Sequence, residues 1–158
     1  MAEIKDASRR VAAAAAAAGL DVEIVRHGQS TRTAEEAAAA CGCAVGQIVK
    51  SLVFRGATSG QPVLLLVAGS NRVDETAVQA VIGEALVRPD ARYVRDVTGY
   101  AIGGIPPLGH PTPLATWLDQ DLLAHPSVWA AAGTPDSVFR VAPAALASAT
   151  GARVLKVT

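Results

Sequence analysis

The spacing of apolar and polar positions changes period several times along the chain, and each change predicts an element. Residues 6–18 are strong helix formers that end at Gly19, which suits the position just past a helix C-terminus. Val22 and Ile24 flank Glu23, so residues 21–26 alternate as a strand does. Thr33 and Glu36 form a capping box that opens an alanine-rich helix running to Cys41, with Gly42 as its stop. Two β-branched runs, 48–55 and 62–68, flank a glycine-bounded turn and predict a hairpin. Asp74 caps a helix reaching Gly83, and Pro143 opens a last helix ending near Ala149. Short strands are expected over 92–95, 115–118, 128–131, 138–141 and 153–157.

Hairpins mixed with scattered helices predict an α+β fold with a mainly antiparallel, barrel-like sheet. The chain of 158 residues, 51% hydrophobic and 18% charged, can bury a core and reads as one domain over 1–158. The connection 97–113 is rich in glycine and proline and lacks periodicity, which marks it as a functional loop. Fourteen basic residues balance fourteen acidic ones, so the chain does not coat polyanions; a local basic pocket for one nucleic-acid end remains open. The start of the chain carries acids in place of a secretory leader, and no apolar run approaches the ~20 residues of a membrane span. A cytoplasmic location without membrane attachment is the expectation. Cys41 and Cys43 are too close for an easy disulfide and read as small apolar residues at a helix end.

Lys50 is the most informative position. Only three of the basic residues are lysines, and Lys5 and Lys156 lie near the ends. Alternation in the strand puts Lys50 with Ile48, Leu52 and Phe54, where an ammonium is costly unless paired or facing a pocket. If the strand is instead buried on both faces, Lys50 snorkels outward. The loop Thr98-Gly99-Tyr100-Ala101-Ile102-Gly103-Gly104-Ile105-Pro106-Pro107-Leu108-Gly109-His110 can bring backbone N–H groups close to a ligand, or serve as a stiff turn.

Lys50-Ser51-Leu52-Val53, then Ala68-Gly69-Ser70-Asn71-Arg72-Val73-Asp74, then Thr98-Gly99-Tyr100, the 103–109 segment, Leu118-Asp119 and Ala132-Gly133-Thr134 resemble the YbaK/EbsC-type aminoacyl-tRNA editing domains. The family is related to the editing insertion of bacterial prolyl-tRNA synthetase. The resemblance implies a small mixed β-barrel flanked by helices that needs neither metal nor cofactor. It implies hydrolysis in trans of the ester of mischarged tRNA, commonly tRNA for proline carrying a small non-cognate amino acid. Partners would be the tRNA acceptor end and an aminoacyl-tRNA synthetase. Carried over by position, Lys50 becomes the functional lysine and Ser51 a pocket hydroxyl. Gly103, Gly104, Ile105, Pro106 and Pro107 become the loop facing the scissile ester, and Ala132, Gly133 and Thr134 the segment that tunes specificity. His110 directly follows that loop, outside the general pattern, and is taken as a further substrate-side candidate.

Two other readings compete. Arg26-His27-Gly28 resembles the signature of histidine phosphatases, whose chemistry needs a second histidine and a further arginine. His110 and His125 are flanked by prolines and lack that context. A non-catalytic module that binds an aminoacyl end or another protein would give no turnover.

Overall fold

The computed structural model describes residues 5–158; residues 1–4, part of the segment read as carrying no leader, lie outside it. Its helices are α1 (Asp6–Ala17), α2 (Ala34–Cys41), α3 (Glu75–Ile82), α4 (Ala91–Thr98) and α5 (Pro143–Thr150). Its strands are β1 (Ile24–Arg26), β2 (Ile48–Gly56), β3 (Pro62–Ala68), β4 (Leu86–Val87), β5 (Ala115–Asp119), β6 (Val128–Ala131), β7 (Ser137–Val141) and β8 (Arg153–Leu155). The capping box at Thr33 and Glu36 forms as expected, and Gly42 ends α2 in the left-handed region. Asp74 caps α3 by accepting from Ala77 N, and Pro143 stands in the first turn of α5.

The strands form one mixed, barrel-like sheet in the order β1-β7-β6-β2-β3-β5-β8, with β4 appended to β2. Antiparallel pairing joins β1 to β7, β6 to β7, and β2 to both β3 and β4, while β2–β6, β3–β5 and β5–β8 run parallel. The strand expected over 92–95 is helical instead, because it lies inside α4. Asp90 accepts from Tyr93 N at its start and Gly99 closes it in a left-handed conformation, so Val94 and Thr98 face inward one turn apart. The tiny strand β4 was too short to show any period.

β3 lies inside the sheet between β2 and β5, with Val63 through Ala68 all buried and alternate residues feeding two cores. Leu64, Leu66 and Ala68 pack with Val11, Val49, Leu118, Leu122 and Phe139, and Val63, Leu65 and Val67 pack with Phe54, Val78 and Leu155. No helix among the described residues is long and apolar enough to cross a membrane.

Candidate functional site: a cavity on the open edge of β2

β2 is paired with β3 from Val49 to Arg55, but on its other edge it meets β6 only at Ile48 and Val49 and β4 only at Arg55 and Gly56. The stretch between has no ladder partner on that edge. A cavity of about 370 Å³ opens there, bounded by β2, the start of α2, β6 and the glycine loop. This edge-on approach explains why Lys50 and Ser51, whose side chains leave the strand on opposite faces, line the same space. The two sequence alternatives for Lys50 therefore hold together: β2 is buried on both faces, with Val53 against one core and Leu52 and Phe54 against the other, and Lys50 still reaches a pocket.

Lys50 is half-buried and donates from Nζ to the carbonyl of Asn71 at 2.6 Å. Burial pushes its ammonium below the ordinary value; Glu35 opposes that shift, Arg72 adds to it and Asp119 opposes it. The Asn71 carbonyl is itself held in place. Asn71 Nδ2 donates to Asp119 Oδ2 at 2.8 Å and to Asp121 Oδ2 at 2.7 Å, and Asp119 Oδ2 also accepts from Ala68 N. Asp119, read from sequence as a turn residue, does cap the following 3-10 turn, yet it also anchors the turn that grips Lys50. Gly69 lies in that turn because a Cβ there would come within 2.5 Å of the Val45 carbonyl.

Ser51 Oγ is buried with no hydrogen-bond partner among the described residues. An unpaired buried hydroxyl costs stability, which makes Ser51 a candidate for contact with a ligand. It stands where the main cavity meets a second, smaller one of about 230 Å³ lined by Phe54, Arg88, Val94, Ile102 and Ile105.

Within the glycine loop, Gly103 and Ile105 face the main cavity. Gly103 has φ of +100°, and a Cβ there would lie 2.8 Å from Arg32 Nε. Gly104, expected beside it at the ester, stands behind it and does not line the cavity. Its N–H donates to Ala101 O and its carbonyl accepts from Gly133 N, so its backbone is committed to framework. A Cβ on Gly104 would approach the Thr134 backbone to 2.8 Å. Because both sides of that contact are main chain, Gly104→Ala should displace the loop, cost about 1–3 kcal/mol and reduce activity, read by thermal melting and an ester assay. Unchanged values for both would show that the loop tolerates the shift.

The remaining expected residues form the support behind this surface. Ala132 is fully buried, Gly133 is tied to Gly104, and Thr134 Oγ1 is bonded to Asp136 Oδ1 and Ser137 Oγ. They back the glycine loop without lining the cavity, because the chain turns away after Ala131. Pro107 and His110 border a separate groove, and His110 Nε2 donates to the Pro106 carbonyl at 2.9 Å with its ring edge-on to Tyr100. His110 thus ties the loop closed and does not face the cavity. Sequence reading missed the opposite wall, where Thr31 to Glu35, Ala37, Trp129 and Val138 come in from α2 and the β6–β7 hairpin. Only the capping box hinted that this helix start mattered.

Burial holds the His110 imidazole below its ordinary value, against the opposing effect of its bond to Pro106. A histidine depressed in the folded state binds its proton more readily unfolded, so its stability contribution is present above the unfolded value and is lost as pH falls through the folded one. Between about pH 7.5 and about pH 5.5 the wild type should lose more thermal stability than His110→Gln, which keeps a donor of similar reach. Equal losses would remove His110 from the pH response.

The Arg26-His27-Gly28 segment does not assemble a phosphoryl site. Arg26 Nε donates to Asp136 Oδ2 at 2.8 Å, and His27 Nε2 lies 3.9 Å from Cys41 Sγ. Burial, and secondarily Cys43, pushes the Cys41 thiol up to about 11.

The family model of the aminoacyl-tRNA editing domain matches residues 29–149. YwhH of Bacillus subtilis, an uncharacterized protein, is 31% identical over 114 residues, 72% of each chain. EbsC of Enterococcus faecalis, named as a candidate Cys-tRNA(Pro)/Cys-tRNA(Cys) deacylase, is 27% identical over 129 residues, covering 80% of this chain and 77% of EbsC. A crystal structure described as a candidate trans-editing enzyme for prolyl-tRNA synthetase is 46% identical, covers 99% of each chain and superposes with a TM-score of 0.93. With its lysine, buried serine and glycine loop around one cavity, the chain belongs to the YbaK/EbsC-type aminoacyl-tRNA editing domains.

Proposed function

We propose that the protein is a trans-acting deacylase that hydrolyses the ester of mischarged tRNA, with tRNA for proline carrying a small non-cognate amino acid as its substrate. The observation that carries this reading is the convergence of Lys50, the unpaired Ser51 hydroxyl and the loop residues Gly103 and Ile105 on one cavity of about 370 Å³. The names of EbsC and of the similar crystal structure support the choice of tRNA.

An aminoacyl ester is already activated, so a positioned water and a polarised carbonyl suffice. Water attacks the carbonyl carbon, negative charge gathers on the carbonyl oxygen, and the ribose oxygen of the tRNA leaves with a proton. In this reading the loop backbone at Gly103 and Ile105 faces the ester, and Lys50 either stabilises the developing charge or holds the terminal phosphate. The neighbouring ribose hydroxyl takes part in moving the proton. Ser51 contacts the aminoacyl group, and Arg32 and Arg72 add positive charge beside the acceptor end. The framework at Gly104, Pro106, Pro107, His110 and Ala132 to Thr134 sets the shape of the loop and, through it, the room left for the amino acid. Partners follow from the substrate: the acceptor end of a charged tRNA, and a synthetase that produces it.

The test is a panel of mischarged tRNAs assayed for release of the amino acid against the rate in buffer. Faster release of at least one small non-cognate amino acid is expected. A panel in which no ester is cleaved above the buffer rate would leave only the binding-module reading.

A further inference from the structure

Three charged side chains line the cavity, Arg32, Glu35 and Lys50, and no ion pair within 4 Å joins Glu35 to either cation among the described residues. Glu35 is the one carboxylate among the described residues that line it, and it faces a space that also holds Lys50. Glu35 is the second residue of α2 and is exposed to the cavity mouth. Its neighbour Glu36 is consumed by the capping box, where it accepts from Thr33 N while its own N–H donates to Thr33 Oγ1. Glu35 has no such partner among the described residues. Lys50 is influenced by Glu35 but spends its short hydrogen bond on the Asn71 carbonyl, and no ion pair within 4 Å joins the two.

A cavity with one carboxylate, and with the Arg32 guanidinium, the Lys50 ammonium and the glycine loop around the rest of it, complements a ligand that is cationic at one point and electron-rich beside it. In an aminoacyl ester the α-ammonium and the ester carbonyl are separated by a single carbon, so the group has this polarity at the size the cavity takes. We infer that Glu35 accepts hydrogen bonds from the α-ammonium of the aminoacyl group, which makes the enzyme selective for esters of free amino acids. N-acylated esters, including formylated and peptidyl ones, lack the cation and add bulk where the carboxylate stands. A carboxylate at the cavity mouth attracts the ester that carries the α-ammonium and gains nothing from an analogue that lacks it. This inference rests on the deacylase reading. An acid that only complements the helix dipole in the first turn of α2 would not discriminate between esters.

The experiment uses the mischarged tRNA that the wild type cleaves fastest and the same tRNA after N-acetylation of its amino acid. The wild type is expected to favour the free amine in kcat/KM by about tenfold or more, the weight of a hydrogen bond to a charged group. Glu35→Gln should slow cleavage of the free-amine ester by a similar factor, leave the N-acetyl ester unaffected, and melt with the wild type. Glu35→Asp, which keeps the charge, should restore part of the preference. A wild type that cleaves both esters alike overturns this inference and leaves the deacylase reading standing, as does a Glu35→Gln protein that keeps the full preference. A wild type that cleaves no mischarged tRNA of the panel above the buffer rate overturns both.

Discussion

Lys50→Ala is expected to lower deacylation by roughly a hundredfold or more, the usual cost of losing one charged group from a site where negative charge develops. Its melting temperature should stay the same or rise. Burial holds the Lys50 ammonium below its ordinary value, so the folded state accommodates that charge at a cost. The sign follows from proton linkage: a lysine depressed in the folded state is protonated more readily unfolded, and around neutral pH that difference opposes folding. Removing it relieves the penalty and surrenders one hydrogen bond, to the Asn71 carbonyl, which the loosened turn can give to water. Lys50→Arg should recover only part of the activity, because a planar guanidinium cannot occupy the space of a compact ammonium. The phosphatase reading requires the reverse pattern, with His27→Ala inactive and Lys50→Ala nearly silent. A folded Lys50→Ala protein with full deacylase activity would remove Lys50 from the mechanism.

What the sequence disclosed about this site follows from how local each signal is. The capping box at Thr33 and Glu36 and the glycine stop at Gly42 are decided within a few residues, and both form as read. The hairpin of β2 and β3 is set by two adjacent runs and the turn between them, and it too forms. Over 92–95 the adjacent Tyr93 and Val94, an aromatic and a β-branched residue of the kinds strands favour, suggest a strand, while Asp90 and Gly99, which cap the helix, lie outside that window. The parallel contacts of β2 with β6 and of β3 with β5 join segments far apart in sequence, and nothing local encodes them. Those contacts decide the cavity. They leave the middle of β2 open on one edge, which brings Ser51 onto the same space as Lys50 and adds Trp129 and Val138 as walls. Motif resemblance could find the lysine and the glycine loop, but only the three-dimensional pairing separates Gly103 and Ile105, which face the cavity, from Gly104 and His110, which brace it.

The same long-range logic makes Asp119 the second large effect, of a different kind. It is 1% exposed and accepts from Ala68 N and Asn71 Nδ2 on one oxygen and from Asp121 N on the other. Asp119→Ala would leave the Ala68 N–H buried without an acceptor and remove two further bonds to a charged group. The expected cost is about 3 kcal/mol or more, from the desolvation of the orphaned donor and the lost bonds. For a domain of this size that lowers the melting temperature by roughly 10 °C. Activity should fall as well, by about tenfold or more among molecules that remain folded, because Asn71 loses one of its two side-chain anchors and its carbonyl then no longer fixes Lys50. Asp121→Ala removes only the exposed anchor and should change either quantity far less. Lys50→Ala and Asp119→Ala therefore separate along two axes: the first loses rate and keeps stability, and the second loses both. An Asp119→Ala protein that melts with the wild type and retains its rate would show that the 68–71 turn holds its shape without the clamp, and Lys50 would then have to be positioned by the packing of β2 alone.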